Sequence, residues 1–228
     1  IQKKKVYNIH IQDPKVDLKN FDFIIAPEHD GLTGKNVILS KGSIHYLTKE
    51  EMVSNHEYLS ERLNKEKEYL TFILGGPNKY YDYNEKNLKN IFDKIKIILE
   101  TNNLQAIIIP SMRTPKKMIE LSNDYFKKEH LVINDIDKKA YLSGLSLAKY
   151  IVVTCDSTSM ISEAALTGKP IYIAEITPKI DDYRFRRFRE LFAKLNIVKK
   201  LDEKIEIWNY EILDETNRIA QEIKRKIS

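Results

Sequence analysis

The chain has 228 residues, which is enough to bury a substantial hydrophobic core as one large domain or two small ones. With 42% apolar and 31% charged residues it has a globular composition, and no apolar run is long enough to span a bilayer. A single cysteine, Cys155, excludes an internal disulfide, so a reducing, cytoplasmic environment is expected. The net charge of +5 suits an anionic ligand or peripheral contact with the inner face of a membrane, and no nucleic-acid motif accompanies it.

Three short β-strands are predicted in the first region, within VYNIHI, FDFIIAP and NVILSKG. Turn residues separate them and only loops connect them, and no signal peptide precedes them. We therefore interpret residues 1–47 as the end of an N-terminal lobe, truncated in this sequence. Residues 48–67 are polar and predict a linker helix with Thr48 as its N-cap.

From Tyr69 onward, apolar strands alternate with amphipathic helices, which predicts a parallel sheet covered on both faces. The strands are YLTFIL, QAIIIP, HLVIND, YIVVTC and PIYIAE, and helices of 3.6-residue periodicity separate them. Residues 68–200 are therefore predicted to form a near-complete Rossmann-like lobe of α/β class, and residues 201–228 a C-terminal helix. Ligands of such sheets bind beyond the carboxyl ends of the strands.

Two motifs at strand ends predict phosphate contacts. GGPNKYY follows the first strand of the lobe, where Gly75 and Gly76 permit close backbone approach and Lys79 could meet a phosphate; the alternative is a simple strand-to-helix turn. SMRTP follows the second strand and puts Arg113 near a helix N-terminus, where a cation is favoured if an anion lies beside it. The alternative is an exposed arginine.

TCDSTSMISEAALTGKP, after the fourth strand of this lobe, predicts a helix whose free N–H groups bind a diphosphate. The candidate residues are Asp156, Ser157, Thr158, Ser159 and, for ribose hydroxyls, Glu163. Helix capping alone with a surface glutamate is the alternative.

Acidic and histidine side chains lie at strand ends of the first region, in HIQDP and PEHDG. Asp13, Glu28 and His29 could supply a general base, or could simply stabilise turns; no metal-binding spacing is present, so no metal site is expected. Further along, the helix YRFRRFRELFAKLN carries phenylalanines on one face, predicted to be core, and arginines predicted to be solvated or to form an inter-lobe face.

The motifs QDP, PEHDG, GGP with a following lysine, S-x-R-TP and T-x-DS-x-SM-x-SEA-x-x-TGKP together resemble the family of the plant mitochondrial-fission "elongated mitochondria" factor and its bacterial relatives. The resemblance runs up to the arginine-rich helix. It implies a GT-B-like fold of two Rossmann-like lobes facing a cleft. SEAALTGKP is also similar to the donor-lobe segment of GT-B enzymes such as lipid A Kdo transferases and the peptidoglycan GlcNAc transferase.

By that resemblance, residues 157–159 and Arg113 take the donor phosphates, Glu163 meets the ribose, and QDP and PEHD face the cleft from the acceptor lobe. The expected function is a metal-independent, cofactor-free GT-B glycosyltransferase that uses a nucleoside-diphosphate sugar and an unidentified acceptor, such as a lipid-linked or cell-envelope glycan. The alternatives are a non-catalytic, fission-factor-like interaction protein and a sugar-nucleotide 2-epimerase. Neither the acceptor nor the oligomeric state follows from the sequence.

Overall fold

The computed structural model describes residues 6–126 and 129–228, so positions 127 and 128 of the predicted second helix lie outside it. Its first sheet is parallel, with strand order β1-β2-β3. The strands are β1 (Ile9–Ile11), β2 (Phe23–Pro27) and β3 (Val37–Ser40). Loops containing single 3₁₀ turns connect them, at Leu18–Asn20 and Glu28–Asp30, as the sequence predicts.

The second sheet is also parallel and has strand order β6-β5-β4-β7-β8-β9. Its strands are β4 (Glu68–Leu74), β5 (Leu104–Pro110), β6 (Leu131–Val132), β7 (Ala148–Thr154), β8 (Ile171–Ala174) and β9 (Val198–Lys200). The sequence did not predict β9, because three residues show no periodicity. The order β6-β5-β4-β7-β8-β9 is that of doubly wound Rossmann sheets. The direction in which successive strands are added across the sheet reverses between β4 and β7.

Helices cover this sheet because each carries an apolar stripe at helical spacing. They are α2 (Glu85–Thr101), α3 (Lys116–Phe126), α4 (Lys138–Leu147), α5 (Thr158–Ala165) and α6 (Tyr183–Lys194). On α2 the buried residues are Leu88, Ile91, Phe92, Ile95, Ile98 and Leu99. The prediction of an α/β lobe with a parallel sheet is confirmed.

The linker is only partly helical. Thr48 accepts a hydrogen bond from the Glu51 N–H (3.2 Å) and begins α1 (Lys49–Ser54), as predicted. Two 3₁₀ turns then replace the expected continuation, at His56–Tyr58 and Ser60–Arg62. Asn55 donates its side-chain amide to the Glu51 carbonyl (2.8 Å), a local bond that competes with continuing the helix.

The C-terminal helix begins later than predicted. It is α7 (Glu215–Ile227), and Asp214 caps it by accepting from the Asn217 N–H (3.2 Å). The residues before Asp214 run without regular structure over the second sheet, where Trp208 packs edge-on against Tyr172 with ring centroids 5.1 Å apart. Aromatic packing on β8 has therefore overridden the helical pattern of the sequence.

α7 returns to the first sheet and ties the two sheets together. Ile219 is buried with Ile25 and Ile38 in a small apolar cluster. Glu215 is 4% exposed, and its carboxylate accepts the Lys41 N–H (2.6 Å) while pairing with the Arg218 guanidinium (2.7 Å). The C-terminal helix is thus part of the first lobe's core, although it is remote from that lobe in sequence.

α6 also bridges the two sheets, by packing on the turn that follows β2. His29 is 3% exposed and lies edge-on against Phe188, with centroids 5.1 Å apart. Arg184 of α6 pairs with Asp30 (Nη2–Oδ2 3.1 Å), so part of the arginine face is an inter-lobe face. Neither ring nitrogen of His29 has a hydrogen-bond partner within the described residues.

Burial lowers the pKa of His29 to about 4; Asp30 opposes the shift, and Arg184 and Arg187 add to it. The unfolded chain therefore binds a proton at this histidine below its usual pKa of 6.5, while the folded chain stays neutral down to about 4. The contribution of neutral His29 to the free energy of unfolding is therefore complete above a pH of 6.5. It declines as the pH falls from 6.5 toward about 4.

We predict that His29→Leu removes this dependence, because leucine fills the site without a titrating group. At about pH 5 the wild-type protein should lose roughly 2 kcal/mol of unfolding free energy through His29 relative to about pH 7.5, and the variant should not show this loss. Urea unfolding at both pH values measures the difference. Equal losses in the two proteins would show that His29 is protonated in the fold.

Candidate functional site

The point where strand order reverses lies between the carboxyl ends of β4 and β7. Gly75 and Gly76 follow β4, and Asp156 follows β7. The two ends are held together because the Gly75 N–H donates to the Thr154 hydroxyl oxygen (2.8 Å). In doubly wound sheets a crevice for ligands forms at this position.

The side chain of Asp156 is fully buried in that crevice. Its carboxylate accepts from the Arg113 guanidinium (2.6 Å), from the Gly76 N–H (3.3 Å) and from the Tyr83 hydroxyl. Burial and the adjacent Asp156 raise the pKa of Tyr83 well above its ordinary value, so the phenol stays a donor. Arg113 also donates to the Gly76 carbonyl (2.8 Å). An internal ion pair thus occupies the base of the crevice.

Gly75 and Gly76 leave the space that the Arg113–Asp156 ion pair occupies. A Cβ on Gly75 would overlap the Asp156 carboxylate, and a Cβ on Gly76 would overlap the Arg113 carbonyl. The space made by their missing side chains is filled by protein atoms, which is a packing reason for glycine here. Lys79, predicted to meet a phosphate, is exposed and lies beside the Tyr80 ring (5.7 Å).

The N-terminus of α5 is capped by Ser157. The Ser157 hydroxyl oxygen accepts from the Met160 N–H (3.3 Å). The first lobe packs directly on this turn: the Ser43 hydroxyl donates to the Thr158 hydroxyl oxygen (3.2 Å), and the Ser43 N–H donates to the Ser162 hydroxyl oxygen (2.9 Å). Ser159, the last of the predicted phosphate ligands, is exposed.

A cavity of about 370 Å³ opens beside this helix, beyond the carboxyl ends of β5 and β6. It brings together three predicted site residues, Arg113, Ser157 and Glu163. The sequence did not identify the other residues that shape it, which include Tyr46, Met112, Ile136, Tyr141 and Met160. The cavity is not lined by the remaining predicted ligands, which are Gly75, Gly76, Lys79, Asp156, Thr158 and Ser159.

Glu163 is the polar centre of the cavity. Its Oε2 accepts a hydrogen bond from the Tyr141 hydroxyl (2.6 Å). Burial raises the pKa of Glu163, and burial together with Glu163 raises the pKa of Tyr141 well above its ordinary value. The bond fixes the carboxyl group and leaves its second oxygen for another donor. Asp137 and Lys138 add a second carboxylate and a cation to the lining, and Asp137 accepts from the Lys139 N–H (2.8 Å). A few oriented polar groups among largely apolar and aromatic walls, with a helix N-terminus and an arginine nearby, are the composition of a small-molecule site.

The three predicted bases lie elsewhere. Asp13 accepts from both the N–H (3.0 Å) and the ammonium group (2.6 Å) of Lys15, in a local turn, and this side-chain bond lowers the pKa of Asp13. Glu28 and His29 line a smaller cavity of about 160 Å³ against α6, which shares no lining residue with the cavity at α5. The turn-stabilising alternative thus describes Asp13, and packing against α6 accounts for His29.

Residues 6–126 and 129–228 hold neither a cluster of metal-ligating side chains nor a helix able to cross a membrane. No three His, Cys, Asp or Glu side chains in these ranges are grouped so as to hold a metal ion. Every helix in the same ranges is too short or too polar to cross a membrane.

The Arg113–Asp156 pair predicts asymmetric costs of substitution. Arg113→Ala should cost about 3 kcal/mol of unfolding free energy, because it leaves an ionised carboxylate buried without its counter-ion. Asp156→Asn should cost less, about 1–2 kcal/mol, because no charge remains buried. Adding Asp156→Asn to Arg113→Ala should recover stability, as measured by urea unfolding. Additive losses in the double variant would contradict the pairing.

Comparison with known proteins supports this architecture. An uncharacterized protein of Rickettsia prowazekii, RP120, is 28% identical over 97% of this chain and 74% of its own length. The mitochondrial fission protein ELM1 of Arabidopsis thaliana is 24% identical over 99% of this chain and 59% of its own length. The chain thus spans three quarters of one of these relatives and less than two thirds of the other.

Among solved structures, the S. aureus MnaA–UDP complex is similar with a TM-score of 0.51 and 14% identity, over 91% of this chain and 52% of that one. The UDP-GlcNAc 2-epimerase of Neisseria meningitidis bound to UDP-GlcNAc is similar with a TM-score of 0.51 and 14% identity, over 90% of this chain and 62% of that one. At such identity the likeness concerns the fold, which is GT-B-like, as the sequence predicts. A family model described as "Mitochondrial fission ELM1" matches residues 1–227, and the chain belongs to that family.

Proposed function

We propose that the chain binds a nucleoside-diphosphate sugar in the cavity beside α5 and transfers the sugar to an acceptor, as a GT-B glycosyltransferase. The observation that carries the proposal is the convergence of Glu163, the N-terminus of α5 and Arg113 on one cavity at the carboxyl end of a doubly wound sheet. The two similar structures contain UDP and UDP-GlcNAc respectively, which supports the ligand class.

Each part of such a ligand has a matching feature. The free N–H groups at the start of α5 suit a diphosphate because they present positive charge. The charge of Arg113 is paired with Asp156, but its guanidinium keeps further N–H donors for a phosphate oxygen. The second carboxylate oxygen of Glu163 suits a ribose hydroxyl, and Tyr141 keeps that carboxylate in place. Tyr46, Met112 and Ile136 line the outer part of the cavity and are exposed, so they offer apolar surface to a base.

In the proposed transfer, an acceptor oxygen attacks the anomeric carbon as the bond to the diphosphate oxygen breaks. The nucleoside diphosphate leaves with the electron pair, and the α5 N-terminus and Arg113 stabilise its charge. The acceptor proton passes to a base. Of the three predicted bases Glu28 is the exposed one, whereas His29 is buried and Asp13 is bound to Lys15. None of the three lines the cavity at α5, so none of them is assigned as the base, and the acceptor proton passes to water.

A second candidate is nucleotide binding without transfer, by an interaction protein of the same fold. Two observations favour it: the Arabidopsis relative is named a mitochondrial fission protein, and none of the three predicted bases lines the cavity at α5. A 2-epimerase is a third candidate, supported by fold likeness to the Neisseria enzyme.

We predict that one of UDP, GDP, ADP and CMP binds selectively, as measured by calorimetry. Glu163→Gln should weaken that nucleotide about tenfold, because a neutral amide replaces an ionised acceptor of ribose hydroxyls. Glu120→Gln, at an exposed carboxylate of α3, is the matched control and should leave affinity unchanged. Arg113→Ala is unsuitable for this test, since it unpairs the buried Asp156.

Incubation with the matching nucleotide sugar then separates the candidates. Transfer or hydrolysis supports the glycosyltransferase, inversion at the sugar C2 without acceptor supports the epimerase, and binding without turnover supports the interaction protein. Failure of all four nucleotides to bind, or equal weakening by Glu120→Gln, would overturn the assignment of the cavity.

A further inference from the structure

A second and larger cavity, of about 580 Å³, lies beyond the carboxyl ends of β7, β8 and β9. α2 forms one side, α6 the other, and the loop after β8 contributes Glu175 and Thr177. None of its lining residues lines the cavity at α5. The donor-site proposal makes no use of it.

The frame of this cavity is rigidly held. The loop after β4 pairs with the loop after β8 through a bridge between Tyr81 and Pro178 and through the Lys179 N–H, which donates to the Tyr80 carbonyl (2.8 Å). The fully buried Tyr81 donates its hydroxyl to Asp182 (2.5 Å), the residue that precedes α6. The walls are therefore fixed before any ligand arrives, which reduces the entropy lost on binding.

Four cationic side chains line the cavity against two carboxylates, Glu175 and Asp182. Two of the cations are committed to the protein. Arg189 donates to Asp182 (2.9 Å) and to the Tyr81 hydroxyl (3.0 Å). Lys200 pairs with Glu175 at 2.5 Å. These pairs satisfy both carboxylates of the lining with short, charge-assisted bonds.

The other two cations, Lys94 and Arg186, are held less tightly. Arg186 makes a long hydrogen bond to Asp181 and a distant ion pair with Asp182. Arg186 lies 3.8 Å from Asp182 and 3.4 Å from Asp181, which is longer than the roughly 2.7–2.9 Å of a charge-assisted hydrogen bond. The Lys94 ammonium is 3.5 Å from the Leu201 carbonyl and has no carboxylate within ion-pair distance in the described part of the chain. Two positive charges thus face the cavity with unused donor capacity.

Neutral polar groups lie beside these charges. Asn87 and Asn90 stand on the same side of α2 as Lys94, and all three line the cavity. The side-chain amides of both asparagines make no hydrogen bond within residues 6–126 and 129–228, and Thr177 adds a hydroxyl. Amides both donate and accept hydrogen bonds, so they suit hydroxyl groups. Two loosely paired cations suit a phosphate, which carries nearly two negative charges.

We propose that this cavity is a second binding site, separate from the donor cavity, for a small phosphate-bearing polyol such as a sugar phosphate. Lys94 and Arg186 bind the phosphate, and Asn87 and Asn90 bind the hydroxyls. The assignment stands on the tightly and loosely held charges of this cavity and is independent of the proposed transfer reaction.

Calorimetric titration with glucose 6-phosphate, inorganic phosphate and glucose tests the site. Glucose 6-phosphate should bind most tightly, phosphate more weakly, and glucose not measurably. The double variant Lys94→Gln/Arg186→Gln should lower the affinity for glucose 6-phosphate at least about tenfold. Lys89→Gln/Arg225→Gln removes the same charge at exposed positions on α2 and α7 and should leave the affinity unchanged.

A second measurement uses the wild-type protein, so it does not depend on the folding of a variant. The side-chain amide NMR signals of Asn87 and Asn90 should shift on addition of glucose 6-phosphate. Unmoved signals, no binding of any probe, or equal loss in the charge-matched control would overturn the proposal. Displacement of glucose 6-phosphate by UDP would place it in the donor cavity and also overturn it, whereas absent UDP binding bears only on the proposed transferase.

Discussion

The buried carboxylate of Asp156 is the constraint on which the arrangement at the sheet's carboxyl end depends. A charge without exposure to water needs a counter-ion and hydrogen-bond donors, and it finds them in Arg113, the Gly76 N–H and Tyr83. Gly76 and Tyr83 both lie in the loop between β4 and α2, and Arg113 lies in the loop after β5, so one carboxylate holds two connections against the end of β7. The two glycines follow from the same packing, because neither position has room for a side chain.

The packing of the two lobes against each other depends on a different set of contacts. α7 places Ile219 in the core of the first sheet, α6 covers His29, and Ser43 bonds to the start of α5. Within the described residues the first sheet has three strands, and helices of the other lobe and of the C-terminus pack against them. This packing sets the position of the first lobe.

The carboxyl end of the second sheet carries two cavities of opposite character. The one at α5 has largely apolar walls and two carboxyl groups held by hydrogen bonds, Glu163 and Asp137. The one between α2 and α6 is rich in charge, with two cations that the protein leaves loosely paired. Asp13, Glu28 and His29 line neither of these two cavities.

The sequence alone predicted the α/β class and the order of strands and helices from β4 to α6, because these follow from local periodicity and turn chemistry. It also indicated Arg113 and Glu163 as neighbours of a strand-end site. Only the tertiary structure decided that Arg113 is paired with a buried aspartate, that Tyr141 orients Glu163, and that the last helix belongs to the first lobe. These contacts join residues far apart in the chain, and long-range packing leaves no periodic signal in the sequence.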